Sequence, residues 1–108
     1  MTVNEIVTLC EFNVLSLPFP DREVSGCYIG DLLSWVMGRA REDNVWITIM
    51  SNINTIAVAS LADVSLVILA EGVTLDEDVL AAAKEKNINV VTSDLAAFET
   101  AGMLFGKV

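Results

Sequence analysis

The sequence predicts an α/β protein: a three-layer α/β/α sandwich whose mostly parallel sheet is built from βα units. Three almost continuously apolar runs, at residues 45–50, 65–70 and 89–92, have the composition of strands that are covered on both faces. A helical pattern separates the second run from the third, and this alternation is typical of parallel sheets. The 108 residues suffice for one domain with its own core and leave no room for a second.

The chain opens with a helical pattern. Apolar residues three and four positions apart predict a helix over residues 2–12, with Thr2 or Asn4 as its cap. Alternating apolar residues then predict a short strand over 13–17, which two prolines end. The proline-containing segment 18–26 is predicted to be a loop, long enough to carry function.

The strongest amphipathic pattern predicts a helix over residues 28–41. Its apolar stripe consists of Ile29, Leu32, Leu33, Val36, Met37 and Ala40. Tyr28 and Trp35 are seven positions apart, so a helix would place them above one another on the flank of that stripe. The stripe is wider than one face of a sheet needs, and we therefore expect Tyr28, Leu32 and Trp35 to contact a second subunit.

Residues 54–62 fit two structures. Thr55, Ile56 and Val58 favour a strand, whereas Asn54 is a good helix cap. We predict a helix, because parallel strands before and after this segment need a crossover and no other segment is available for it.

Two further helices complete the predicted fold. A helix over 75–87 is indicated by a Thr-x-x-Glu capping box at Thr74 and Glu77 and by lysines in its last turn. The final helix is capped by Ser93 or Asp94. Its aligned residues are Leu95, Phe98, Gly102 and Phe105, and Gly106 closes it.

The charge of the chain excludes several classes of function. Six basic and 15 acidic residues give a formal charge of −9, spread evenly along the chain, so we expect no nucleic-acid partner. The chain has no histidine, which excludes Ser–His and Cys–His nucleophile pairs and His-ligated metals. With apolar residues at 54%, part of the apolar surface is expected to be covered by a subunit interface.

The two cysteines and the N-terminus indicate location. Cys10 and Cys27 match neither a zinc site nor a Cys-x-x-Cys redox pair, and we expect both to be reduced and buried. No apolar run is long enough for a membrane span, and the N-terminal residues lack the charge of a signal peptide. These features predict a cytoplasmic protein without a membrane partner.

Small polar residues follow the predicted strands. Ligands of parallel sheets gather at the carboxyl ends of the strands, where helix N-termini can accept an anion. The candidates there are Ser51, Asn52, Asn54, Ser93 and Asp94. The alternative is that these residues only cap their helices. No glycine-rich phosphate motif is present, and we expect neither a cofactor nor a metal.

The loop before the predicted long helix carries a charged pair. Asp21 and Arg22 could orient a ligand, and the alternative is a local ion pair. The consecutive acids Asp76, Glu77 and Asp78 lack the spacing of a calcium loop and are expected to be solvated charges at a helix start.

These segments together resemble the DRTGG domain family. The resemblance rests on Asp21-Arg22-Glu23-Val24-Ser25-Gly26-Cys27-Tyr28, on Gly30 to Met37, on Val45 to Ile49 and on Thr92 to Gly102. Asp21 and Arg22 fit the named motif, Glu23 replaces its threonine, and Gly26 lies beyond the place of its paired glycines. The resemblance implies an α/β/α domain similar to the N-terminal domain of HPr kinase. It also implies a non-catalytic accessory module, found beside phosphotransacetylase domains, with CBS domains in regulated pyrophosphatases, or alone.

Two hypotheses of function follow. The first is a non-enzymatic regulatory or protein-interaction module that forms a homodimer through Tyr28, Leu32 and Trp35, or binds a partner protein. The alternative is a sensor that binds a nucleotide or phosphorylated metabolite at the carboxyl ends of the strands, with Arg22 lending charge.

Overall fold

The computed structural model describes residues 1–108 and confirms the three-layer α/β fold. Its elements in chain order are α1 (Val3–Cys10), β1 (Asn13–Ser16), β2 (Cys27–Ile29), α2 (Leu33–Arg39), β3 (Val45–Thr48), α3 (Ile53–Ala62), β4 (Leu66–Leu69), α4 (Glu77–Glu85), β5 (Val90–Thr92) and α5 (Ala97–Leu104). The five strands form one sheet in the order β1-β5-β4-β3-β2. Strands β2 to β5 are parallel, and β1 pairs antiparallel with β5.

The strand order fixes which helices share a face. Strands β2, β3, β4 and β5 lie side by side in chain order, so each crossover leads to the next strand in the same direction. Right-handed connections therefore place α2, α3 and α4 on one face of the sheet. Trp46 and Val67 are buried on that face with Ile56 of α3. On the other face, Ile47 and Ile68 are buried with α1 and α5. Three helices therefore cover one side of the sheet, and only two cover the other.

The crossover between β3 and β4 is helical, as predicted. Both strands are buried along their whole length, and α3 connects them. Its cap is Asn52 and not Asn54: the Asn52 side chain accepts hydrogen bonds from the backbone N–H groups of Asn54 and Thr55.

The prediction of one helix over 28–41 was wrong. Cys27–Ile29 forms strand β2, which pairs with β3, and α2 begins only at Leu33. This segment forms a strand despite its helical periodicity because it pairs with the edge of β3, which would otherwise be unpaired. The Trp46 Nε1–H stabilises the end of β2 by donating a hydrogen bond to the Gly30 carbonyl oxygen at 2.9 Å. A Cβ atom on Gly30 would lie 2.9 Å from the Tyr28 ring, so any other residue at this turn would displace that ring.

Helix α1 is capped by Thr2, one of the two caps predicted for it, and Thr2 and Glu5 form a Thr-x-x-Glu capping box. The starts of two later helices differ from the prediction. Helix α4 begins after Asp76 without a side-chain cap, so the capping box predicted at Thr74 and Glu77 does not form. Helix α5 begins at Ala97, three residues later than a cap at Ser93 would allow, because Ser93 and Asp94 belong to the turn that leaves β5.

The prediction that both cysteines are buried was wrong. Both are free thiols, Cys10 is half-buried, and Cys27 is exposed because it lies on the edge strand β2. No helix is both long enough and apolar enough to cross a membrane.

Candidate functional site

The five polar residues predicted at the carboxyl ends of the strands lie in two separate groups. Ser51, Asn52 and Asn54 follow β3, whereas Ser93 and Asp94 follow β5. Strand β4 lies between β3 and β5, so about 10 Å separates the two groups. The turn after β4 fills this space: the backbone N–H of Glu71 donates to the Leu95 carbonyl, and that of Gly72 donates to the Ser93 carbonyl, each at 2.8 Å.

Two of the five side chains are engaged in local structure. The Asn52 amide oxygen accepts from the N–H of Asn54 at 2.9 Å, as the cap of α3. The buried Ser93 hydroxyl forms a hydrogen bond with the Thr100 hydroxyl at 3.0 Å and accepts from the Leu95 N–H at 3.2 Å. Ser51, Asn54 and Asp94 keep exposed surface. The capping interpretation therefore describes Asn52, and Ser93 stabilises the turn after β5.

The carboxyl end of the sheet is strongly acidic. Eight carboxylates lie after the strands, in the first turns of the helices that follow, or at the end of α1: Glu11, Asp31, Glu71, Asp76, Glu77, Asp78, Asp94 and Glu99. None of the six basic residues lies in these segments. The helix N-termini would attract an anion, but these full negative charges oppose a phosphate group there.

One small cavity opens at this end of the sheet. It has a volume of about 210 Å³ and lies between the end of α1 and the turn after β5. Glu11 and Asp94 contribute its charges, and Cys10 contributes a thiol. Burial raises the pKa of Cys10, which Lys107 only partly opposes, so the thiol stays protonated at neutral pH.

Arg22 lies at the opposite end of the sheet. Its guanidinium donates to the Asp43 carboxylate at 3.0 Å and to the Asp63 carboxylate at 2.9 Å. Asp43 and Asp63 precede β3 and β4, which places all three residues at the amino ends of the strands. Desolvation alone would lower the pKa of Arg22, but hydrogen bonds and charge attraction from Asp43 and Asp63 outweigh it and raise the pKa.

The structure therefore separates Arg22 from the carboxyl-end residues that it was expected to assist. Asp21 and Arg22 line an open cavity of about 400 Å³ with Pro18, Phe19 and Pro20. The Arg22 guanidinium forms ion pairs with Asp43 and Asp63. This is the ion pairing that the sequence offered as the alternative to a ligand-binding role for Arg22. The loop itself is fixed by the buried Asn89 side chain, which accepts from the Phe19 N–H and donates to the Phe19 carbonyl.

The three predicted interface residues lie around the free edge of the sheet. Tyr28 is on β2 and packs partly against the core under α2 and α3. Leu32, which precedes α2, is 59% exposed, and Trp35 on α2 is 52% exposed. The Arg39 guanidinium stacks 3.7 Å from the centre of the Trp35 ring. The residues are thus neighbours of one edge strand and do not form the flank of a single helix.

An apolar groove follows the other face of β2. It has a volume of about 340 Å³, and its walls include Cys27 and Ile29 of β2 and Ala101 and Phe105 at α5. Phe105 is 89% exposed and Ile29 is 50% exposed. Cys27 keeps exposed surface, but the groove walls partly desolvate its thiol and raise its pKa to about 11, so this thiol is a poor nucleophile at neutral pH.

The sequence pattern did not predict this groove. It predicted that Phe98 and Phe105 align in the last helix, but the structure leaves that side of α5 exposed. The signal for β2 was present, since Cys27-Tyr28-Ile29 stands between Gly26 and Gly30, and glycines often bound short strands. Gly26 has a positive φ of 78°, a conformation that favours glycine.

The fold and the site therefore define the class of this protein: it is a mostly parallel α/β module without a cationic pocket. The family model of the DRTGG domain matches residues 21–106, and the chain belongs to the DRTGG domain family. No protein of curated function matches it.

A solved structure has the same fold. It contains the CBS and DRTGG domains of the regulatory region of Clostridium perfringens pyrophosphatase, complexed with the activator diadenosine tetraphosphate. The TM-score is 0.74 at 17% sequence identity, and the match covers 95% of this chain and 45% of that chain. The resemblance to the DRTGG family is thus confirmed, and in that pyrophosphatase the domain belongs to a regulatory region.

Proposed function

We propose that this chain is a non-enzymatic regulatory module of the cytoplasm that works by self-association at the β2 edge of its sheet. The observation that carries the proposal is an uncovered edge strand with exposed apolar side chains on both faces. Leu32 and Trp35 flank it on the α2 side, and Ile29 and Phe105 flank it on the α5 side. Exposed apolar patches of this kind on small proteins mark interaction surfaces.

The chemistry of the cavities supports a non-enzymatic role. The thiols of Cys10 and Cys27 have raised pKa values, so neither is an activated nucleophile at neutral pH. The arginine nearest to a cavity, Arg22, is neutralised by two aspartates. No described cavity therefore combines a nucleophile, a base and a group that could stabilise developing charge.

Self-association is tested by measuring the molar mass in solution with light scattering after size exclusion. At about 20 µM we expect a mass near twice the 11.7 kDa of one chain. Trp35→Glu is expected to lower the dimer fraction, because it places a charge in the apolar surface. Val14→Glu, on the exposed face of the opposite edge strand β1, is the matched control and should leave the mass unchanged. A wild-type monomer at this concentration would refute the proposal.

A nucleotide sensor is the second candidate, and the activator in the pyrophosphatase complex favours it. The acidic carboxyl end of the sheet opposes binding of a polyphosphate at Ser51, Asn52, Asn54, Ser93 and Asp94. Titration calorimetry with diadenosine tetraphosphate and with ATP tests this candidate. Heat that saturates, that Asn52→Ala abolishes and that Asp94→Lys strengthens by replacing a repulsive charge with an attractive one would establish the site. Titrations without saturable heat would exclude it for these ligands.

A further inference from the structure

The backbone of β2 has an unused hydrogen-bonding edge. The Gly26 carbonyl accepts from the Val45 N–H at 3.0 Å, and the Gly30 N–H donates to the Ile47 carbonyl at 3.2 Å. In a parallel ladder, alternate residues of a strand bond to the same neighbour. Gly26, Tyr28 and Gly30 therefore face β3, and the backbone groups of Cys27 and Ile29 point away from the sheet.

The two edges of the sheet are protected differently. Strand β1, at the far edge, has a register irregularity between Val14 and Ser16, and two prolines follow it closely. Both features discourage pairing with another chain. Strand β2 has neither, and residues 24–30 contain no charged side chain. The β2 edge is thus open to pairing, and the β1 edge is not.

We propose that two copies of the chain pair their β2 strands antiparallel, around a two-fold axis at Tyr28. This inference rests on the self-association proposed above and gives it a geometry. Cys27 of one copy then lies opposite Ile29 of the other, and each residue both donates and accepts, which gives about four hydrogen bonds between the copies. A two-fold axis makes such an edge complementary to itself. The two sheets become one continuous sheet.

Charge favours the antiparallel arrangement. Asp31 lies three residues beyond the axis, so it comes opposite Ser25 of the second copy. Ser25 is joined to the loop before β3: its carbonyl accepts from the Asn44 side chain, and its N–H donates to the Asp43 carbonyl. Arg41 lies in that loop. Glu42 and Asp43 lie in the same loop, so this end of the molecule mixes both signs of charge. The acidic carboxyl end of one copy thus lies beside the mixed-charge end of the other copy, whereas a parallel arrangement would place the two acidic ends together.

The apolar surface is large enough to contribute most of a dimer interface. Phe105 and Trp35 are 89% and 52% exposed, and an aromatic side chain buries about 150–250 Å² when it is covered. Leu32 and Ile29 add further exposed surface beside the same strand. A stable interface of standard size needs about 800 Å² from each partner.

Disulfide trapping tests the geometry. In a Cys10→Ser, Cys27→Ser background, Tyr28→Cys places two thiols across the axis in a non-hydrogen-bonded pair, with Cα atoms about 4.5 Å apart, within disulfide range. We expect mild oxidation to convert most of this variant to a covalent dimer. Trp35→Cys and Val14→Cys in the same background are the controls and should stay mostly monomeric under denaturing conditions.

The outcomes separate this inference from the proposed function. If light scattering shows a dimer but Trp35→Cys forms the covalent dimer and Tyr28→Cys does not, the β2 pairing is overturned and self-association stands. A monomer by light scattering overturns both.

Amide hydrogen exchange of the wild-type chain tests the geometry without substitutions. The amides of Cys27 and Ile29 should exchange at least tenfold faster after dilution from about 200 µM to well below the dissociation constant. The amide of Tyr28, bonded within the sheet, should not accelerate comparably. Equal exchange of Cys27 and Ile29 at both concentrations, in a sample that is dimeric at the higher one, would overturn the pairing.

Discussion

The two ends of the parallel strands carry opposite kinds of electrostatics. At the amino ends, loops are tied by paired charges such as Arg22 with Asp43 and Asp63. At the carboxyl ends, eight carboxylates lie in segments that contain no basic residue. The fold itself offers helix N-termini to an anion at the carboxyl ends, but the residues placed there oppose one. A general rule about where ligands bind therefore has to be checked against the charges that a particular sequence supplies.

The largest effect is expected from Asn89→Ala at the amino end. Asn89 is buried and forms hydrogen bonds with Phe19 and with the Ser65 carbonyl. The substitution leaves these backbone groups without partners, and we expect it to lower the free energy of unfolding by about 3 kcal/mol. Urea unfolding measures the change, and Asn54→Ala, at an exposed position, is the matched control. A loss equal to that of the control would show that Asn89 does not hold the loop.

Arg22→Ala should have the next largest effect. It removes the shared partner of Asp43 and Asp63, and we expect a loss of about 2 kcal/mol, because solvent screens both partly exposed aspartates. Arg22→Lys should recover only part of the loss, since an ammonium group cannot reproduce the guanidinium contacts. Arg41→Ala is the control at an exposed arginine. If Arg22→Ala instead leaves stability unchanged and abolishes binding of an anion, Arg22 is a ligand residue.

At the carboxyl end, Asp31→Ala is expected to cost about 1 kcal/mol. One Asp31 carboxylate oxygen accepts from the Thr48 hydroxyl at 2.8 Å and from the Ile49 N–H at 3.0 Å. Removing the charge also relieves repulsion from the other carboxylates, which reduces the net loss. Asp76→Ala, which removes a side chain without a cap hydrogen bond, should leave stability unchanged or raise it. A large loss for Asp76→Ala would contradict the repulsion described for this end.

The smallest effect concerns the pH dependence of the α1 cap. Hydrogen bonds from the backbone and side chain of Thr2 lower the pKa of Glu5 below its ordinary value of 4.5. A lowered folded-state pKa stabilises the protein above the unfolded value, and this contribution is lost as the pH falls through the folded-state pKa. The difference in Tm between wild type and Glu5→Gln should therefore be present at pH 7 and shrink below about pH 4. A difference that grows on acidification would contradict the capping box.

Part of this structure could be predicted from local sequence, and part depended on contacts distant in the chain. The buried strands β3, β4 and β5 were predicted because continuous apolar runs need cover on both faces. Strand β2 was missed because Ile29 and Leu32 also continue the periodicity of α2, and only pairing with β3 decides between the two structures. The five residues predicted at the carboxyl ends of the strands do lie there: Ser51, Asn52, Asn54, Ser93 and Asp94. Arg22 lies at the opposite end, where it pairs with Asp43 and Asp63. These two aspartates are distant in the chain, at separations of 21 and 41 residues, so local sequence could not indicate them.

The pairing of β1 with β5 has a consequence for synthesis. The first strand finds its neighbour in the last one, so β1 has no partner while the ribosome is still making the segments between them. Contacts that span most of a chain also slow folding. Strand β1 therefore stays unpaired until translation has delivered Val90 to Thr92, and only then can the five-stranded sheet be completed.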